Sequence, residues 1–259
     1  VSEAEIFDTP AVRRHRDRAA ARIGRVLPVL EDLADRLLDR LDDTKTQFFS
    51  ALDFGGRGSV APKLLARGMT AISADLSPAM AARAGGLAVA ADPEFLPFGA
   101  EKFDLVVAHL SLHWVNDLPG ALIQLRRSLK PEGLFLASMP ALGTLAGLRD
   151  GLLEAEEALT GAVSPRISPY PELRDCAGLL QRAGFALPVA DVEDIDFLYA
   201  NPLALLHELR DAGETNATLA RRKIFPPRAL FPAALSRLPM HGDRHAVPLR
   251  FAIMTGWAS

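Results

Sequence analysis

The chain is poor in the residues that would make several classes of protein. It has a single cysteine, Cys176, among 259 residues, so neither an internal disulfide nor a thiolate metal cluster can form, which is the pattern of a reducing compartment. The longest uncharged stretch, residues 133–148 (GLFLASMPALGTLAGL), falls short of the ~20 apolar residues of a membrane span and is interrupted by Pro140. No integral membrane segment is expected. Charge of one sign is scarce too: 29 basic and 32 acidic side chains leave a net charge of −3. That field does not attract a nucleic-acid backbone, and no nucleic-acid partner is expected. Also missing are a G-x-S-x-G elbow, an H-E-x-x-H pair and a lysine in a phosphate loop. The N-terminus lacks the charged-then-apolar pattern of a secretory signal.

What remains is ordinary globular material, 49% hydrophobic and 24% charged, enough to bury a core and too apolar to stay disordered. An arginine-rich stretch, AVRRHRDRAAARIGR, places Arg13, Arg14, Arg16, Arg18, Arg22 and Arg25 on all faces of a helix, which reads as solvated surface. Behind it, Val29, Leu30, Leu33, Leu37, Leu38 and Leu41 recur at helical spacing as one apolar stripe.

The pattern then changes to short apolar strands at 47–54, 70–75, 87–91, 103–110 and 134–139, separated by helical segments. Near-continuous apolar runs suit parallel strands buried on both faces. Their alternation with helices predicts a doubly wound α/β sheet. A helix starts at Asp117 with Pro119 in its first turn, and Pro131 and Gly133 read as its stop signals. Further helices are expected near 143–160, 171–183 and 202–212, with strands around VADVEDIDFLY and over 247–258.

The chemistry is concentrated after the first strand, in ALDFGGRGSVAPKLLARG. Asp53 ends the strand, and Gly55, Gly56 and Gly58 form a turn that lets a ligand approach the backbone at a helix start. Residues 56–61 also satisfy G-x-G-x-x-G/A, with Asp75 at a ribose-like spacing, so a nicotinamide or flavin enzyme is a rival reading. A carboxylate directly before the glycines repels a pyrophosphate and favours the ammonium and sulfonium of S-adenosylmethionine (SAM). Asp75, at the end of the second strand, is placed for the ribose hydroxyls, and Asp92, after the third, for the adenine amino group. Their neighbours Leu76 and Pro93 join the same set, with Met80 as a candidate to pack on adenine. His113 and Trp114 follow the fourth strand at the sheet's ligand-binding edge. With His109, Arg166 and Tyr170 they make up a candidate substrate pocket. His109 and His113 are four residues apart but straddle a strand end and its loop, and His241 and His245 lie in a surface loop; neither pair is expected to bind a metal.

These features, with DPEFLPFGAEKFDLVVAHLSLHWVNDLPGAL, KPEGLFLASM, SPRISPY and the MTGW ending, resemble class I SAM-dependent methyltransferases. The resemblance is to the branch holding BioC-like enzymes and the mitochondrial complex I assembly-factor methyltransferase-like proteins. It implies a Rossmann-like, seven-stranded, mostly parallel sheet with an antiparallel last strand and an N-terminal helical cap. It implies SAM or S-adenosyl-L-homocysteine (SAH) as cofactor, with Asp53, Gly55, Gly56 and Gly58 at the methionine end, and with Ala108, His109 and Leu110 as the floor below the methyl group. The family pattern is D-x-G-x-G-x-G, whereas this turn, D-F-G-G-R-G, is one residue shorter.

The expected division is one methyltransferase domain over 1–259: a cap over 1–45, a SAM-binding core over 46–140, the rest of the sheet with lid insertions over 141–245, and the last strand over 246–259. The expected activity is in-line methyl transfer to a small-molecule, acyl-thioester or protein substrate, which needs alignment more than an acid–base pair. The alternative is a SAM-binding assembly factor, similar to a protein arginine hydroxylase, that transfers no methyl group and partners a respiratory-complex subunit. Bacterial cytoplasm, or the mitochondrial matrix in a eukaryote, is the expected location.

Overall fold

The computed structural model describes residues 5–258; residues 1–4 and 259 of the expected cap and last strand lie outside them. Two helices come first, α1 (Thr9–Ala20) and α2 (Leu27–Leu38). Then β1 (Ser50–Phe54), α3 (Ala61–Ala66), β2 (Thr70–Asp75), α4 (Pro78–Ala81), β3 (Leu87–Ala90), β4 (Phe103–His109), α5 (Leu118–Ser128) and β5 (Leu129–Pro140) build the first half of the sheet. The second half follows as α6 (Ala146–Thr160), α7 (Leu173–Arg182), β6 (Ala186–Tyr199), α8 (Leu203–Asp211), α9 (Leu230–Leu235), β7 (Met240–His241) and β8 (Arg244–Trp257).

Strand order is β3-β2-β1-β4-β5-β8-β6, with the two-residue β7 paired to β8. The first five strands are parallel, and β8 runs antiparallel between β5 and β6. The expected sheet of seven strands is therefore present, with β7 as a short addition. Leu105, Val106, Val107 and Ala108 of β4 are fully buried, as a central strand covered on both faces requires. One face packs Leu122 and Leu125 of α5 and Leu180 of α7; the other packs Leu37 and Leu38 of α2 and Leu64 of α3. The sheet edge β6 instead alternates half-buried and exposed positions, the signature of a strand with one solvated face.

Two local expectations are corrected. The helix from Asp117, whose side chain caps Gly120 N–H at 2.8 Å, ends at Ser128. Beyond it, Pro131 and Gly133 lie inside β5, which starts at Leu129 rather than after these two residues, because the Glu132 amide and the Gly133 carbonyl bond to Ala258 and draw the segment into the sheet. The arginine stretch is also not uniformly solvated. Arg13, Arg14 and Arg18 are exposed, but Arg16 is buried, on the side of α1 that covers the sheet's carboxyl edge.

Candidate functional site

At that edge, β1 ends in the glycine turn. Asp53 is fully buried, and its carboxylate accepts from the Gly56 amide at 3.0 Å, the Ala61 amide at 3.1 Å and the Ser73 hydroxyl at 3.4 Å. It thus ties the turn to the start of α3 and faces the chain's own amides rather than the cleft. Burial pushes its pKa up to about 7, against the lowering effect of those hydrogen bonds. Gly55, at φ +75°, has no room for a side chain: a Cβ there would stand 2.3 Å from Ser111 Cβ. The short turn leaves Arg57 in the left-handed region at φ +55°, a conformation that costs a non-glycine residue about 1–2 kcal/mol.

The guanidinium of Arg57 compensates by its bonds. It is fully buried and donates to the Ala212 carbonyl at 2.9 Å, the Leu110 carbonyl at 2.8 Å and Glu214 at 2.6 Å. Arg16, from α1, donates to Asp75 at 2.9 Å and also to the Leu110 carbonyl at 3.2 Å. Asp75 in turn accepts from the Ser77 amide at 2.8 Å. Asp75, Leu76, Asp92 and Pro93 line one small cleft with Gly55 and Trp114. Its volume is about 20 Å³, room for a water or two, because α1 and Arg16 close it. The residue types fit a nucleoside cofactor: carboxylates at the ends of β2 and β3, and a turn that only glycine can make. A nucleoside is larger than this cleft, so its walls must give way for one to enter.

Other predicted positions lie elsewhere. Met80 is fully buried among Ala19, Ile23 and Leu110, under the N-terminal helices, and does not line the cleft. Ala108 sits inside the sheet core. His109 is locked there as well, with Nδ1 2.8 Å from Ser138 Oγ and Nε2 3.2 Å from the Leu30 carbonyl. Burial pushes its pKa down to about 3. The stability it contributes is therefore complete above the unfolded value near 6.5 and is lost as pH falls toward 3. Unfolding free energies measured between about pH 5 and 6.5 should show His109→Gln removing up to about 1.4 kcal/mol of loss per pH unit; an unchanged slope would contradict this.

Gly56 and Gly58 shape the turn. Any side chain at Gly56 would strike the Asp53 carboxylate, and Gly58 takes φ +91°. His113 and Trp114 do meet at the edge: both donate to Glu214, His113 through Nε2 at 2.8 Å and Trp114 through Nε1 at 2.7 Å. Burial lowers the His113 pKa, opposed by the Glu214 charge. Tyr170 packs edge-on against the His113 ring, with centroids 6.3 Å apart. Arg166 is engaged instead by the buried Glu156, which also accepts from Ser164. Glu214, Arg16 and Arg57 escaped the reading from sequence. A charged residue inside a glycine turn was the one available signal, at Arg57.

Beyond Leu110 lies an apolar cavity of about 110 Å³, with Leu30, Phe197 and Leu205 in its walls and Arg57, His113 and Glu214 at one end. Leu145, Tyr170, Leu209 and Glu214 belong also to a surface groove of about 700 Å³. The cavity and the groove thus share part of their walls.

Residues 52–137 match the family model described as a methyltransferase domain. The chain is 34% identical to the mitochondrial arginine-hydroxylase NDUFAF5 of Danio rerio over 97% of its own length and 82% of the relative's. It is 31% identical to the malonyl-[acyl-carrier protein] O-methyltransferase of Halorhodospira halophila, over 99% of this chain and 89% of that one. Among solved structures, a SAM-dependent methyltransferase of Thermotoga maritima, described as a possible histamine N-methyltransferase, superposes with a TM-score of 0.55. That match is at 15% identity and covers 96% of this chain and all of the other.

Proposed function

Because the chain belongs to the class I SAM-methyltransferase-fold family of the NDUFAF5-like and BioC-like proteins, we propose that it is a SAM-binding enzyme acting on a long arm presented by a protein partner. The arm is an arginine side chain, on the pattern of the arginine-hydroxylase relatives. The observation that carries this reading is that the 700 Å³ groove adjoins the narrow apolar cavity beside Arg57 and Leu110, across a shared wall of Leu145, Tyr170, Leu209 and Glu214. An extended side chain can cross the groove and bring its end to the cofactor, whereas a small free substrate needs only an enclosed pocket. The partner belongs to a respiratory complex, in the mitochondrial matrix or, for a bacterial chain, the cytoplasm.

In this reading Asp75 accepts from the ribose hydroxyls and Asp92 from the adenine amino group, between Leu76 and Pro93. The glycine turn admits the amino-acid end, and Leu110 lies toward the reacting atom. In this reading SAM is bound without transfer of its methyl group, and the oxygen gained by the arginine comes from dioxygen with two electrons from a separate donor; methyl transfer, the chemistry SAM would supply, belongs to the second reading below. A calorimetric titration with SAH tests the reading directly, and no binding at millimolar ligand would overturn it. Charge-assisted hydrogen bonds are worth about 1.5–3 kcal/mol each, so Asp75→Ala should weaken SAH binding by at least about tenfold. Unchanged affinity would remove Asp75 from the site.

A second reading, methyl transfer to the carboxyl group of an acyl thioester, is favoured by the guanidinium group of Arg57 in the cavity wall, with that of Arg16 on the same Leu110 carbonyl, and by the malonyl-carrier methyltransferase relatives. Mass spectrometry of the partner from cells with and without this chain separates the two readings. A gain of one oxygen on arginine supports the first; rescue of a biotin auxotroph with no change on arginine supports the second.

A further inference from the structure

Four donors from three separate parts of the chain converge on one carboxylate. Glu214 Oε1 accepts from Arg57 at 2.6 Å, and Arg16 stands 3.8 Å from the same oxygen. Glu214 Oε2 accepts from His113 Nε2 and Trp114 Nε1. The side chains of Arg16, Arg57 and His113 are 4% exposed or less, and that of Glu214 is 18% exposed. The donors are therefore the built part of the arrangement. Glu214 reaches them from the long connection between α8 and α9, on the boundary of cavity and groove.

The two arginines are also held without it. Both guanidinium groups bond to the Leu110 carbonyl, Arg57 bonds to the Ala212 carbonyl, and Arg16 bonds to Asp75. Two buried nitrogen atoms of the set, Arg57 Nε and His113 Nδ1, have no hydrogen-bond partner. Buried polar atoms in a purely structural network are normally satisfied, and each exception calls for an explanation. Forked guanidinium donors beside an imidazole and an indole N–H match the needs of a carboxylate.

We propose that Arg16, Arg57, His113 and Trp114 form a carboxylate-binding site in which Glu214 is an internal stand-in, displaced when a ligand carboxylate enters. The inference rests on the SAM-binding reading for one of two sources: the carboxylate at the amino-acid end of the cofactor, or a carboxylate on the substrate. The position of Arg57 in the glycine turn suits the first. With Glu214 displaced, Arg57 loses its counter-charge, so the site then favours an anion. The connection carrying Glu214 moves outward at the same time, which couples ligand entry to opening of the groove.

The test compares wild type with Glu214→Gln, which keeps the shape and removes the competing charge. Each is titrated with SAH, with 5′-methylthioadenosine, which has the same nucleoside and sulfur but no amino-acid carboxylate, and with malonate. If the cofactor is the source, Glu214→Gln binds SAH on the order of tenfold more tightly, 5′-methylthioadenosine binds as before, and adding Arg57→Met cancels the gain. If the substrate is the source, SAH affinity is unchanged and malonate binding tightens instead. A variant in which neither carboxylate binds more tightly, or in which SAH weakens, overturns the proposal and makes Glu214 a strut or a ligand for the ammonium group.

Hydrogen exchange of the wild-type chain gives an answer even if the variant does not fold. Saturating SAH or malonate, but not 5′-methylthioadenosine, should speed amide exchange over residues 213–220; no change with either carboxylate overturns the proposal. Failure of every nucleoside to bind would count against the SAM-binding reading, while the malonate and exchange results still decide the fate of the carboxylate site.

Discussion

Replacing Asp53 by alanine is expected to destabilise the fold by about 2–6 kcal/mol. The carboxylate has no exposed surface, and it alone accepts from the amides of Gly56 and Ala61. Each buried donor left without a partner costs about 1–3 kcal/mol. Asp53→Asn should fall between wild type and alanine, because the carboxamide keeps one acceptor oxygen and turns an N–H₂ group against the second amide. Urea unfolding monitored by circular dichroism gives the comparison through the midpoint at constant slope. A midpoint for Asp53→Ala within the range of ordinary surface substitutions, about 0.5 kcal/mol, would show that the turn does not depend on this carboxylate. The effect is structural first, so loss of cofactor binding in such a variant would say nothing about direct contact.

The second large effect is expected at Glu156. Its side chain is completely buried and accepts from the Ser164 amide and hydroxyl, from Arg166 in a two-pronged pair, and from Arg222 at 3.5 Å. Breaking a buried ion pair by removing one partner costs about 3–5 kcal/mol, because the remaining charge is left uncompensated. Glu156→Ala should therefore melt at a lower temperature and, more tellingly, release the connection that carries Ser164, Arg166 and Tyr170 along the groove. Hydrogen exchange should rise over residues 161–172 while β1 and β4 stay protected. Equal protection of that segment in both proteins would remove Glu156 as its anchor.

The same carboxylate makes a prediction about acid. Its pKa is held down to about 2, chiefly by the Arg166 hydrogen bonds. The folded value is below the unfolded one near 4.5, so the stability that Glu156 contributes is complete above 4.5 and is lost as pH falls toward 2. The alanine variant should lack that part of the acid transition.

How much of this was legible follows from the range over which each signal acts. The strands around Leu52, Ile72 and Val106 and the helix of Leu122 and Leu125 declared themselves by local periodicity, and their alternation led to a doubly wound sheet and to the carboxyl edge where Asp75 and Asp92 stand together; the strand order itself came from the structure. Gly55 and Gly56 were readable because a turn at the end of a strand restricts the residue type. Arg16 was not. Nothing in the stretch distinguishes it from Arg13 or Arg14; it is buried because α1 lies across the loop after β1, and that packing involves residues some sixty positions away, Asp75 among them. Glu214 was hidden for the same reason, about a hundred residues from His113 and Trp114.

By itself, then, the sequence determined the α/β alternation, the glycine turn, and the carboxylates at successive strand ends, because backbone hydrogen bonding and apolar periodicity are properties of neighbouring residues. Only the tertiary structure decided that Asp53 serves the turn, that Met80 belongs to the core, and that Arg16, Arg57, His113 and Trp114 meet around Glu214. Those outcomes depend on which charges share a dry space, and a charge has no preference of its own for one buried partner until the fold brings several within reach.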